Sequence, residues 1–281
     1  MMTRTLQTAA VTLLILFMSC DKVVENKYVT EYIYDNPNPI FAAAFIATEY
    51  WEYDSSYYGD ADVIVNFYDT VPDITINGVP PDNPYYSDFD YNDTIFMPGT
   101  RCDLKIKVGS RSVESSVYVP RDFKVLDPAD NETISGTDLS VRWSDAKCEH
   151  YEVYIEYHFH DNLNVCHYDY EIETDVKDTF LTKAGFLPTV PVGSTWYYGF
   201  IGLIAIDGPP LTPGTPGNIK GDGGGFFWTY NYSWGSYFYV AGLPASSQAP
   251  DPDIRRNYVR QHKAIVRERL TQLGIPSAIE E

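Results

Sequence analysis

Three histidines within ten residues, His158, His160 and His167, carry the most explicit chemistry in this chain. If His158-Phe159-His160 is a strand, its two imidazoles point the same way, because side chains alternate from face to face. A third imidazole from a paired strand would complete a zinc set, with Glu156 and Asp169 beside it. Metal-dependent catalysis would also need an open coordination position in a concave pocket. The same residues equally suit the solvated face of a hairpin.

A second candidate is Asp88-Phe89-Asp90-Tyr91-Asn92-Asp93, where Asp88, Asp90, Asn92 and Asp93 offer oxygens to calcium. The glycine that turns an EF-hand loop is missing, and the alternation also fits an exposed strand. Asp54, Asp60 and Asp62 form a weaker set of the same kind. Between Phe226 and Tyr239 aromatics occupy both alternating faces, so one face packs inward. The other, around Trp228 and Trp234, either stacks on sugar rings or is covered by the C-terminal segments. Gly221-Asp222-Gly223-Gly224-Gly225 lacks a following Lys-Ser/Thr and precedes an aromatic strand; it reads as a mobile hairpin loop and not a phosphate cradle.

These residues must be positioned by strands. Ala61 to Phe67 and Leu104 to Val108 alternate apolar and polar residues, and Asn77-Gly78 and Pro98-Gly99 are turn dipeptides. Around Asp161-Asn162-Leu163-Asn164 two alternating runs form a hairpin. A four-residue turn predicts that His160 faces Val165, Phe159 faces Cys166 and Ile155 faces Tyr170, with Glu156 and the histidines outside. Cys166 then points into the core. Cys102, Cys148 and Cys166 are expected to be free thiols, since the last two lie at opposite ends of the hairpin.

From about Pro252 to Leu273 the pattern turns helical, with Ile254, Tyr258, Ile265, Leu270 and Leu273 as an apolar stripe. This segment (250–275) carries six basic residues in an otherwise acidic chain. Such a stripe gains by being covered, and docking onto the acidic body of the same chain is the expected outcome.

The N-terminus has a positive start at Arg4, an apolar run from Ala9 to Met18, and then Ser19-Cys20. The run suits a signal peptide and is too short for a permanent membrane helix. Leu16-Phe17-Met18-Ser19-Cys20 resembles the lipobox of bacterial lipoproteins, although Phe17 and Met18 are bulkier than that family usually shows. The resemblance implies a leader over 1–19, an acylated Cys20, and an exported protein anchored to an envelope membrane by lipid. Residues 20–40 end in Asn36-Pro37-Asn38-Pro39 and read as an extended linker.

Phe123 to Pro128, Leu139 to Trp143, Tyr151 to Ile155 and Trp196 to Ile206 give a proline-led strand, a strand ending in Trp and a Tyr-x-Val-x-Ile strand, followed by a long later strand. This series resembles fibronectin type III domains, in which the Trp and the strand tyrosines fill the space between two sheets. Pro209 to Gly225 is longer than that family's last hairpin. Residues 41–120 resemble a generic immunoglobulin-like sandwich. The expected fold is all-β: two tandem sandwiches, 41–120 and 121–245, with a short C-terminal helix.

The chain has 281 residues and a formal net charge of −19, which opposes contact with phosphate backbones. No nucleophile motif or organic-cofactor motif stands out, leaving calcium or zinc as the only candidate cofactors. The expected role is non-enzymatic, a spacer or binding module that meets the membrane through its lipid, with another envelope protein or a glycan as the candidate partner. The alternatives are a carbohydrate-binding module on exposed aromatics and a metal-dependent enzyme at the histidines.

Overall fold

A computed structural model describes residues 39–51, 56–65, 71–82, 88–89, 96–212, 214–233, 235–243 and 254–273. The predicted leader, Cys20 and nearly all of the linker lie outside these residues. The chain folds as β1 (Ile40–Trp51), β2 (Ser56–Val65), β3 (Asp73–Ile76), β4 (Asp88–Phe89), β5 (Arg101–Val108) and β6 (Arg111–Tyr118). Then come β7 (Val125–Asp127), β8 (Glu132–Ile134), β9 (Leu139–Trp143), β10 (His150–His160), β11 (Cys166–Val176) and β12 (Phe180–Lys183). The last strands are β13 (Thr195–Asp207), β14 (Lys220–Gly221), β15 (Gly223–Tyr232) and β16 (Ser236–Val240), before the helix α1 (Ile254–Gln272).

One nine-stranded sheet organises everything, with the main order β11-β10-β13-β15-β1-β2-β4. Two smaller sheets, β14-β6-β5-β3 and β12-β9-β7, accompany it. The first covers one end of the large sheet. The alternating buried residues Cys102, Leu104, Ile106 and Val108 of β5 meet Ile40, Ala42, Ala44 and Ile46 of β1. The second covers the other end, where Leu139, Val141 and Trp143 of β9 pack with Tyr151, Val153 and Ile155 of β10. Alternation in β5 and β9 exists because each small sheet has one wet face.

The units expected as 41–120 and 121–245 therefore share a sheet. β1 runs parallel to β15 over ten residue pairs, from Ile40 opposite Gly223 to Glu49 opposite Tyr232. The glycines expected to form a mobile loop belong to β14 and to the start of β15. A Cβ at Gly223 would lie 1.8 Å from the Ile40 carbonyl oxygen, and one at Gly225 (φ +137°) 1.8 Å from that of Ala42. Only glycine lets the two backbones approach so closely. The chain crossing near Pro120 is also tied down. Thr229 Oγ1 donates to the Tyr118 carbonyl (2.6 Å), Asn231 Nδ2 to the Pro120 carbonyl (3.0 Å), and Asp207 accepts from the Tyr118 amide (2.6 Å).

The opposite face of the large sheet is covered by α1. Ile254, Tyr258, Val266 and Leu270 are buried against Ala43 and Phe45 of β1, Tyr154 of β10, Ile204 of β13 and Trp228 of β15. Tyr258 settles over Gly202, where a Cβ would lie 2.9 Å from its ring. The helix docks on its own chain, as its stripe predicted, although Val266 takes the buried place expected for Ile265. Among the described residues, no helix is long and apolar enough to cross a membrane.

Truncation after Ala249 uncovers this apolar face of the large sheet and is expected to cost about 2–3 kcal/mol, the scale of one substantial core lesion. Calorimetry should then show a melting temperature lower by about 5–10 °C, at roughly 2–4 °C per kcal/mol for a chain of this size. An unchanged melting temperature would contradict the docking.

Candidate functional site

Strand β10 reads His-Tyr-Glu-Val-Tyr-Ile-Glu-Tyr-His-Phe-His. Its odd-numbered residues enter the core under β9, leaving His150, Glu152, Tyr154, Glu156, His158 and His160 on the face toward α1. Most of that polar stripe is buried, with Glu152 3% and Glu156 2% exposed. Burying carboxylates is costly unless each is partnered. Arg269 Nη1 reaches Glu152 Oε1 at 2.7 Å. Glu156 Oε2 accepts from the Tyr168 hydroxyl at 2.8 Å and from the Tyr154 hydroxyl. Burial, then the Glu156 carboxylate, pushes the Tyr154 phenol well above its ordinary range, keeping it a proton donor. The expectation that Glu156 faces outward is corrected, because a sheet covered on both sides has no wet face at β10.

The hairpin register is also corrected. Asp161 and Val165 close the turn through the Asp161 amide and the Val165 carbonyl (2.9 Å), leaving a three-residue loop that ends in Asn164 at φ +60°. Asp161 Oδ1 accepts from the Leu163 and Val165 amides (2.9 and 2.8 Å). A three-residue loop with a left-handed last residue is a standard hairpin closure. It shifts the ladder by one, placing His160 opposite Cys166, Phe159 opposite His167 and Ile155 opposite Glu171. One residue of slip exchanges the two faces of β11. His167 thus leaves the histidine face, stacks on Phe159 (4.6 Å between ring centres) and contacts Asp161 Oδ2 through Nε2 (3.1 Å). Cys166, expected in the core, is exposed on the histidine side.

The resulting cluster is His158, His160 and Cys166, whose ligand atoms all lie within 4.8 Å of one another. Cys166 Sγ is 3.2 Å from His158 Nε2. Asn164 Oδ1 accepts from His160 Nδ1 at 3.1 Å, which leaves the lone pair on Nε2. Tyr197 forms the floor. It is the residue left unpaired where the β10–β13 register steps from His158–Tyr198 to Phe159–Trp196. Its ring stacks on His158 (4.7 Å, 14°) and tilts against His160 (4.7 Å). A bulge re-aims a side chain in this way. Burial, then neighbouring His160, holds His158 below the ordinary imidazole range, so its ring is neutral at pH 7. Two imidazoles and a thiol can ligate a soft or borderline metal.

The sequence missed Cys166, Asn164 and Tyr197 in this cluster. Asn164 was the available signal, since Asn tolerates the left-handed conformation that closes the shorter loop. The three thiols Cys102, Cys148 and Cys166 are free, as expected.

The other candidates separate. Asp88 lies in β4 opposite Asp62 of β2, whereas Asp90, Asn92, Asp93 and Asp54 fall outside the described residues. Trp228 is buried, its indole N–H donating to the Pro209 carbonyl at 2.6 Å and its ring stacked on Phe226. It is no sugar platform, because β15 is covered on both faces; Trp234 lies outside the described residues. The outer face of β14-β6-β5-β3 carries a shallow polar groove of about 930 Å³, where Arg101 pairs with Asp103 (2.8 Å).

A second polar group sits under α1. His262 Nδ1 is 3.0 Å from the Tyr232 hydroxyl, and its ring meets Tyr230 edge to face. Nε2 is 3.5 Å from Glu152 Oε2, but burial pushes the imidazole down to about 4, with Glu152 only partly offsetting it. The ring is therefore neutral at pH 7, and Arg269 is the partner that balances Glu152. No protein-family model matches this chain, and no curated protein matches it significantly.

The unfolded chain protonates His262 near pH 6.5 and the folded chain near 4, so unfolding takes up a proton between those values. Stability from this group is complete above pH 6.5 and falls as the pH drops toward 4. His150, lowered mainly by burial, acts with the same sign. Thermal melts across this window should show a weaker acid dependence for His262→Gln than for the wild type. Equal slopes would show that His262 is not held neutral.

Proposed function

We propose that this chain is a lipid-anchored protein of the bacterial cell envelope, non-enzymatic, acting as a stiff spacer that carries a binding edge. The observation that carries the reading is the β1–β15 pairing, which makes two sandwiches one body without a hinge at Pro120. A rigid body on a proline-bearing linker suits display at a distance from a membrane. The leader layout, with Arg4, the apolar run and Ser19-Cys20, supports the anchor. Two or more acyl chains, each contributing about 0.8 kcal/mol per buried methylene, hold a protein to a bilayer without a helix.

The unit 121–245 is read as fibronectin type III-like and 41–120 as immunoglobulin-like. Support comes from Trp143 ending β9 and packing edge to face on Tyr151 (5.4 Å), between the two sheets. The shared sheet departs from independent tandem domains, and we read it as a fusion of the two sandwiches side by side.

The binding edge is β11, which ends the large sheet among the described residues. Its open backbone can add a strand, and Tyr168 and Tyr170, 49% and 47% exposed, offer aromatic contact to an envelope protein or a glycan. Asp169 and Glu171 on its other face discourage indiscriminate pairing.

Mass spectrometry of membrane-extracted protein should find an acylated cysteine at position 20 as the mature N-terminus. The Cys20→Ser variant should leave the membrane fraction. A variant that stays equally membrane-bound would overturn the proposal.

A further inference from the structure

We propose that the β10–β11 hairpin holds a transition-metal ion of the zinc class through His158, His160 and Cys166. Such a site is independent of the spacer role and of lipid attachment.

The donor set comes from one hairpin, so its geometry is set by strand pairing. His158 and His160 are two residues apart on one face, and Cys166 stands directly opposite His160 in the ladder. Directly opposed strand residues have Cβ atoms about 4.5–5.5 Å apart, within reach of a shared ion. With Zn–S at about 2.3 Å and Zn–N at about 2.0–2.1 Å, tetrahedral ligation separates N from S by about 3.6 Å. The Cys166 Sγ to His158 Nε2 distance is 3.2 Å, and the full set spans at most 4.8 Å. Small side-chain rotations close that difference.

Supporting groups orient the donors. The Asn164 carbonyl oxygen holds His160 Nδ1–H and so presents Nε2, as second-shell acceptors do in metal sites. Tyr197, delivered by the bulge in β13, braces both imidazole rings. Such bracing serves a purpose when ring orientation matters. A solvated polar face would not need it.

Donor chemistry selects the ion. Two imidazoles and a thiolate suit zinc and its soft neighbours, whereas calcium and magnesium require oxygen ligands. Cys166 gives up its thiol proton to solvent as the metal–sulfur bond forms, and each imidazole donates the lone pair of one ring nitrogen. Three protein donors leave a fourth position open on the exposed side of Cys166, where water or a partner's side chain can complete the tetrahedron.

The test uses the mature full-length chain in detergent, purified without a histidine tag. Calorimetric titration with Zn2+ should give one site per chain. Titration with Co2+ should develop a thiolate-to-cobalt charge-transfer absorption and the strong visible bands of tetrahedral cobalt. Cys166→Ser should abolish the charge-transfer absorption, and Asn164→Gly, which keeps the left-handed turn but removes the acceptor for His160 Nδ1–H, should weaken binding by about 10–100-fold. His167→Ala, on the other face, should bind as the wild type does. Both Cys166 and Asn164 are exposed, so circular dichroism of these variants should match the wild type. Absence of one-to-one binding, or undiminished charge transfer in Cys166→Ser, would overturn the site.

Discussion

The parallel pairing of β1 with β15 is the constraint on which the rest of the molecule depends. It joins residues almost two hundred positions apart in sequence, a costly closure that local interactions do not assist. Once made, it gives each small sheet a common partner and creates a surface broad enough for α1. Without the glycines at 223 and 225 the two backbones could not reach ladder distance. The large sheet is thus buried on both faces at its centre, as parallel pairs usually are.

That double burial explains the polar stripe of β10. A strand with one wet face could leave Glu152 and Glu156 in water. Here they are enclosed, and each depends on a specific partner: Arg269 from the helix for Glu152, and two tyrosine hydroxyls for Glu156. Such pairs contribute less to stability than an apolar seal would, because desolvation offsets much of the attraction. They do tie α1 to β10, since Arg269 of the helix reaches Glu152 at 2.7 Å. Toward the turn the stripe emerges from under the helix, and there the same alternation leaves His158 and His160 beside the exposed Cys166.

Much of this was legible in the residues. The alternation of β5, the turn at Asn77-Gly78, the Trp143 strand and the stripe of α1 were all readable, because each reflects one apolar face against one wet one. Two things were not. The pairing of β1 with β15 leaves no periodic signature, since both faces of each strand are covered; the glycines of β15 therefore read as a loop and Trp228 as exposed. The hairpin was legible but its register was not, because β10 is buried on both faces and β11 has no buried residue on either, so neither strand's pattern penalises a slip. The choice then rested on turn length, and the left-handed Asn164 settled it in favour of the shorter loop. That single residue exchanged His167 for Cys166 at the candidate site.

Through the shared sheet, the strands before and after Pro120 should unfold as one cooperative body. Native-state hydrogen exchange, followed through increasing denaturant, tests it most directly. The account predicts that the protected amides of β1 and of β13 open with the same free energy and the same denaturant dependence, in one global event. Contradiction would be a sub-global opening that exposes β1 with its small sheet while β13 stays protected.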